Sequence, residues 1–250
     1  MTSLAVYPVL QLPAIQPGDP LARCLYDAIG ASGLQLETGD VVAICQKVVS
    51  KSEGRVVNLQ EVVPSERARR FAEAYGRDPR LVEVVLRESQ RVVRMERGLI
   101  ISETATGLVC ANAGVDQSNA YKPGYVTLLP SDPDASAKRI GREIRALAGI
   151  PIGIVVTDTF GRPWREGLVD VAIGIAGLRP LLDFRGTHDL AGRPLEVTVL
   201  ALADQVAAAA GLVMAKGEGI AAAIVRGVGA WLGEGRASDL VRPAEKDLFR

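Results

Sequence analysis

The sequence predicts an α/β protein with mixed sheets, because short apolar runs rich in β-branched residues alternate with longer stretches of helical periodicity. The clearest runs are Val41-Val42-Ala43-Ile44-Cys45 and Ile152 to Val156, each continuous enough for a strand buried on both faces. A hydrophobic fraction of 48% over 250 residues supports a substantial core without disulfide or metal staples, and 4% aromatic content makes that core aliphatic. No GxxxxGK[ST] segment occurs, so a Walker-type nucleotide cradle is excluded as the first hypothesis. With neither an internal repeat nor a low-complexity linker, residues 1–250 read as one domain, allowing two intimately packed lobes without an assigned boundary.

The elements follow in order. Leu4 to Leu10 reads as a strand, closed by the turn Pro17-Gly18-Asp19-Pro20, and Leu21 to Ser32 as a helix. The strand from Val41 runs into the basic segment Gln46 to Arg55. Ser65 to Gln90 has helical spacing, with Ser65 as N-cap and Asp78-Pro79 dividing it into two helices. Leu99-Ile100-Ile101 and Leu108-Val109-Cys110 form a hairpin around Thr106-Gly107, followed by a small polar loop from Ala111 to Asn119. A helix from about Ser131 to Ala148 carries Asp132 and Asp134 near its start and Arg142 and Arg145 near its end, matching the helix dipole. The strand from Ile152 ends in a loop, Thr157 to Arg165. Strand Glu196 to Ala201, an alanine-rich helix Asp204 to Met214 and strand Ala222 to Val225 complete the chain.

Lysine plus arginine and aspartate plus glutamate each total 29, so no global field attracts a polyanion, and neither nucleic acid nor membrane is an expected partner. Charges interrupt every apolar run before membrane-spanning length, and no basic segment leads into a long apolar stretch; a cytoplasmic location is expected. Cys24, Cys45 and Cys110 match neither a disulfide framework nor a zinc pattern and are expected to be reduced. The lone His188 does not define a base.

Several constellations are suited to chemistry. Asp116 and Asp158 each lie in a small polar loop after an apolar strand, where two carboxylates and the Thr159 hydroxyl suit a hard divalent cation; capping of a turn is the competing role. Lys47, Lys51 and Arg55 recur at a spacing of four, as either a phosphate grip or a solvated face. Arg162 and Arg165 flank Pro163-Trp164, where their guanidinium groups suit substrate carboxylates or phosphate, while Trp164 is either a stacking ring or a packing anchor. Asp183, Arg185, Asp189 and Arg193 around His188 form a substrate loop or a connection held by local ion pairs. Met214 to Ala221 is either a glycine-rich ligand loop or a helix termination.

Taken together, QKVVSKSEGR from Gln46, ANAGVDQSN from Ala111, TDTFGRPWREG from Thr157, ADQVAAAAGLVMAK from Ala203 and AAIVRG from Ala222 resemble the coenzyme F-420-0:L-glutamate ligase family, also called F-420 gamma-glutamyl ligases. The resemblance covers almost the whole chain. It implies a two-lobed α/β fold that is neither P-loop nor Rossmann, a homodimer with its site near the subunit interface, GTP as co-substrate, magnesium or manganese, and potassium as a further candidate ion. It carries metal ligation onto Asp116, Asp158 and Thr159. Nucleotide contacts fall on Leu12, Pro13, Ala14, Ile15, Gln46, Lys51, Asn119, Met214, Ala215, Lys216, Gly217, Glu218, Gly219, Ile220 and Ala221.

Five positions depart from the family pattern. Gln46 stands where a small hydroxyl residue occurs, Ala215-Lys216 replaces a more usual Gly followed by Gln or Lys, and Gln205 and Gly211 stand where acids are expected. The chain stops at Arg250, near where fused relatives continue into a nitroreductase-like domain, so a stand-alone ligase is expected. The implied reaction converts the lactyl carboxylate of the deazaflavin precursor to an acyl phosphate, which the amine of L-glutamate attacks; further gamma-linked glutamates can follow. Lys51, Arg162 and Arg165 are the expected catalytic residues. The rivals are a same-scaffold ligase for another carboxylate and a non-catalytic nucleotide-binding regulator.

Overall fold

The computed structural model describes residues 3–214 and 217–248. Strand β1 (Ala5–Pro8) ends on a residue with no N–H to extend the ladder. Helix α1 (Leu21–Ala31) buries Leu21, Ala22, Leu25, Ala28 and Ile29, an i, i+4, i+7, i+8 stripe. Strand β2 (Val41–Cys45) has the predicted limits and passes without a gap into helix α2 (Gln46–Ser52). Lys47 and Lys51 therefore sit one turn apart on α2. Arg55 lies beyond its end, where its guanidinium pairs with Glu88 at 2.6 Å and donates to the Leu129 carbonyl at 3.0 Å. Of the two roles open to the three cations, phosphate grip or solvated face, Arg55 takes neither and serves as a structural tie.

After β3 (Val56–Asn58), the predicted helical stretch divides as the capping residues direct. Ser65 accepts the Ala68 N–H at the start of α3 (Glu66–Tyr75), and Gly76, with φ of 63°, ends it. Asp78 accepts the Arg80 N–H at 2.8 Å to cap α4 (Pro79–Glu88). Asp78→Ala is expected to lower unfolding free energy by about 1 kcal/mol in urea titration, with catalytic rates unchanged, because it removes the cap and nothing near the cavity described below.

Strands β4 (Arg91–Glu96), β5 (Leu99–Glu103) and β6 (Val109–Ala111) form a three-stranded antiparallel sheet. β4 is absent from the sequence reading because its three charged residues lie on an edge and mask its alternation. β7 (Tyr125–Thr127) pairs with β3. Helix α5 (Pro133–Ala148) starts from Asp132, whose carboxylate accepts the Ala135 N–H at 2.9 Å, and ends at Gly149 in the left-handed region.

The expected loop from Thr157 to Arg165 requires correction. β8 (Gly153–Arg162) runs through it and turns at Pro163-Trp164 into β9 (Arg165–Ala176), the longest strand. The strand-length β8–β9 ladder outweighs the local turn signals of Gly161 and Pro163. The predicted strand at Glu196 contracts to β11 (Val199–Leu200), paired with β10 (Leu182–Asp183). Helix α6 (Leu202–Gly211) and strand β12 (Ala222–Arg226) complete the fold.

The main sheet has the order β1-β12-β2-β8-β9, with β2 and β8 parallel and the other neighbours antiparallel. Strand alternation divides its apolar residues between two cores. Val42, Ile44, Ile154, Val156 and Ile224 meet α1 and α5, whereas Val41, Ala43, Val155, Ala223 and Val225 meet α6. Burial on both faces explains why these strands read as unbroken apolar runs. The alanines of α6 permit close approach to β9.

A third core, including Leu59, Phe71, Val85, Ile100, Val126 and Leu128, is built entirely from residues between β2 and β8. This second packed unit contains α3, α4 and the β3-β7 and β4-β5-β6 sheets; the chain leaves the main sheet after β2, builds it, and returns through α5 to β8.

Candidate functional site

The carboxyl end of β2 opens a cavity of about 430 Å³. Its walls come from the β1–α1 loop, the first turns of α2, the β8–β9 hairpin and the segment before β12. Backbone bonds hold these pieces together: the Cys45 N–H donates to Ala221, the Val9 N–H to Ala222, and the Gly18 N–H to Ser52. The cavity is lined by Leu12, Pro13, Ala14 and Ile15 from the first loop, Lys51 from α2, Asn119 from the polar loop, and Met214, Gly217, Gly219, Ile220 and Ala221 from the last segment. Residues over two hundred positions apart thus share one wall.

Not every expected contact lies there. Gln46 is fully buried at the root of α2, where its carbonyl accepts the Ser50 hydroxyl at 2.9 Å while its amide nitrogen is unpartnered. Glu218 is exposed and does not line the cavity, and Ala215 and Lys216 lie outside the described residues. Arg162 and Arg165 stand exposed at the hairpin tip, where Arg162 donates to the Glu166 carbonyl at 3.1 Å, and neither lines the cavity. The stretch around His188 is exposed: Arg185 clamps Asp183, holding that carboxyl down at about 2, and Asp189 accepts two local N–H groups.

Two lysines set the electrostatics. Lys47 Nζ lies 2.7 Å from Asp116 Oδ2 and donates to Ser118 Oγ at 2.6 Å, fastening the polar loop to α2. Burial pushes the Asp116 carboxyl up, but hydrogen bonds from Lys47 and Ser118 outweigh it and hold it below the ordinary range. A group depressed in this way stabilises the fold above its ordinary value and loses that contribution as pH falls through the folded one. Lys51 is shifted down, first by burial and then by the neighbouring Lys47 charge. A half-buried ammonium repelled by its neighbour is suited to an anion.

The third wall is the hairpin. Thr157 and Thr159 line the cavity, and strand alternation turns Asp158 to the other face, where it helps burial push the Cys110 thiol up to about 12. On the cavity side Thr159 Oγ1 donates to Asp170 Oδ1 at 2.5 Å. Asp170 was missed in the sequence; the available signal was a lone acid inside the apolar run Leu168 to Ala176. Gly211, where the family pattern leads one to expect an acid, lies against this carboxylate: a Cβ there would stand 2.3 Å from Asp170 Oδ2.

The three expected metal ligands are distributed rather than caged. Asp116 is held by Lys47, Asp158 and Thr159 point to opposite faces of β8, and no group of three or more acidic, histidine or cysteine side chains among the described residues is arranged to hold an ion. The donors around the cavity are nevertheless oxygen groups beside a phosphate-sized space, the chemistry of a hard cation that keeps water and phosphate in its shell. A larger groove of about 830 Å³ lies on the opposite face of the hairpin, lined by Phe160, Trp164 and Val171. It is largely apolar and contains neither Lys47 nor Lys51.

Comparison with known proteins gives a consistent result. A family model described as F420-0:Gamma-glutamyl ligase matches residues 9–227, which include every cavity-lining residue. Relatives named Coenzyme F420:L-glutamate ligase are 47% identical in Methanopyrus kandleri over 100% of this chain and 99% of the relative, and 45% identical in Methanothermobacter thermautotrophicus over 96% of each. The Archaeoglobus fulgidus protein of the same name is 42% identical over 98% of this chain and 96% of its own length.

Proposed function

From the premise that the chain belongs to the F420-0:gamma-glutamyl ligase family, we propose that it joins L-glutamate to the lactyl carboxylate of the deazaflavin precursor coenzyme F420-0, with GTP as the driving co-substrate. The observation that carries this reading is the single cavity on which the Leu12–Ile15 loop, Lys51, Asn119 and the glycine-bearing segment before β12 meet. Its lysines, hydroxyls and open backbone suit a triphosphate, and its formation without a P-loop agrees with the sequence.

A free carboxylate has no usable leaving group. Its oxygen attacks the terminal phosphorus of GTP, the bond to the bridging oxygen breaks, and GDP departs, leaving an acyl phosphate. The neutral amine of glutamate then attacks the acyl carbon, inorganic phosphate leaves, and the amine loses a proton as the amide forms. Lys51, which lines the cavity, would hold the charge that grows on phosphate oxygens, and Lys47 would position the loop bearing Asp116 and Asn119. Asp116 and Asp158, and Thr159 on the opposite face of β8, are the residues assigned to magnesium or manganese ions, which would supply charge neutralisation to the phosphates when bound. Arg162 and Arg165, at the hairpin tip, are assigned to substrate carboxylates presented from the open side, with a second copy of the chain in a homodimer completing that side. No helix among the described residues is long and apolar enough to cross a membrane.

The test is a coupled assay with F420-0, GTP, L-glutamate and manganese or magnesium. GDP release that requires both organic substrates, with a product heavier by one glutamyl residue, is the expected result. Turnover with a different carboxylate only would point to another substrate on the same scaffold. Tight GTP binding without turnover under any condition would instead mark a nucleotide-binding regulator.

A further inference from the structure

We infer that Asp170 is a positioning residue of this site, acting through Thr159 to commit its hydroxyl oxygen to a cation. The two residues face each other in the β8–β9 ladder, and both line the cavity that holds Lys51. A threonine hydroxyl has one proton and two lone pairs. Thr159 spends its proton on Asp170 Oδ1 in a 2.5 Å bond, so only lone pairs remain for the cavity. An oxygen in that state accepts from a cation or an N–H and repels a phosphate oxygen. Without Asp170 the hydroxyl could rotate and donate to phosphate instead.

The carboxylate is held from behind as well. Helix α6 approaches it with bare backbone, since a Cβ on Gly211 would sit 2.3 Å from Oδ2 and 3.0 Å from Cγ. A side chain at 211 would displace the carboxylate from Thr159. The bare backbone at Gly211 thus leaves the space that the Asp170 carboxylate occupies.

The inference rests on the cation-assisted ligation proposed above, and its test separates the two. Manganese binding in the presence of GDP is measured by the paramagnetic resonance of free Mn²⁺ for the unaltered protein, Asp170→Ala, Asp170→Asn, Gly211→Ala, Thr159→Val and the Thr159→Val/Asp170→Ala pair, with folding checked by circular dichroism. Asp170→Ala and Gly211→Ala are expected to weaken manganese binding by roughly tenfold, the usual loss when a ligand's supporting partner is removed. Asp170→Asn, whose amide oxygen still accepts the hydroxyl proton, should lose less and keeps the test decisive if the alanine variant fails to fold. The double variant should bind no more weakly than Thr159→Val alone, since Asp170 acts through that hydroxyl. In the coupled assay, kcat should fall while KM for glutamate stays constant. Unchanged manganese affinity in the Asp170 variants, or a further loss in the Thr159→Val background, would overturn the inference and leave the proposed function standing. If the unaltered protein with GDP binds no manganese, the cation reading fails and takes this inference with it.

Discussion

Asp116→Asn and Asp158→Asn are each expected to cut GTP turnover by on the order of 10²–10³-fold, the loss that follows removal of a single charge-stabilising group from a preorganised site. The two substitutions should differ in their structural effects. At Asp116 the carboxylate is tied to Lys47 at 2.7 Å and accepts the Ser118 N–H at 2.7 Å, so the variant loosens the polar loop as well as the ligand set. Because that carboxylate is about a third exposed, with side-chain accessibility of 32%, the stability loss should be no more than about 1 kcal/mol. At Asp158 the neighbouring thiol Cys110, raised partly by this negative charge, should ionise more easily once the charge is gone. Thiol alkylation rates against pH therefore report whether Asp158→Asn changed the local field as intended. Normal GTP turnover in either variant would remove that residue from the assignment.

Lys51→Met should lower kcat/KM for GTP by on the order of 10²-fold while leaving the unfolding temperature the same or slightly higher. Burial and the Lys47 charge both disfavour the protonated amine in the folded protein. The unfolded chain thus binds the proton more tightly, so this group favours unfolding, and stability should rise with pH between the depressed folded value and the ordinary lysine value. Methionine keeps the buried stem and removes the charge. A matched loss of activity and stability would show instead that Lys51 holds structure.

The sequence was most readable where a local rule determined the outcome. Val41–Cys45 was bounded correctly because both its faces are buried, and Ser65, Asp78 and Asp132 each announced a helix start that the structure contains. Through the family resemblance the sequence names Lys51, Asn119, Met214, Gly217, Gly219, Ile220 and Ala221, which line the cavity, and also Gln46 and Glu218, which do not. What could not be read depends on pairing across distance. β9 mixes glycine and charge into its first half and acquires its identity only from the partner strand, which turned an expected loop into a hairpin. Asp170 belongs to the site because of a cross-strand neighbour and a missing side chain on α6, neither of which leaves a local signature. The spacing of Arg55 from two lysines fits a phosphate grip or a solvated face; its actual partner, Glu88, is supplied by a helix thirty-three positions away.

The order of strands in the main sheet constrains how the chain is made. β12 lies between β1 and β2, and Ala5 is paired with Arg226. During synthesis the first two strands must therefore wait, each with a bare edge, until nearly the whole polypeptide has emerged. The intervening unit, whose core is drawn from a contiguous stretch, has no such dependence and can consolidate early. The cavity, which needs the segment just ahead of β12, is consequently among the last features to exist, so a nascent chain lacks it until its sheet has closed.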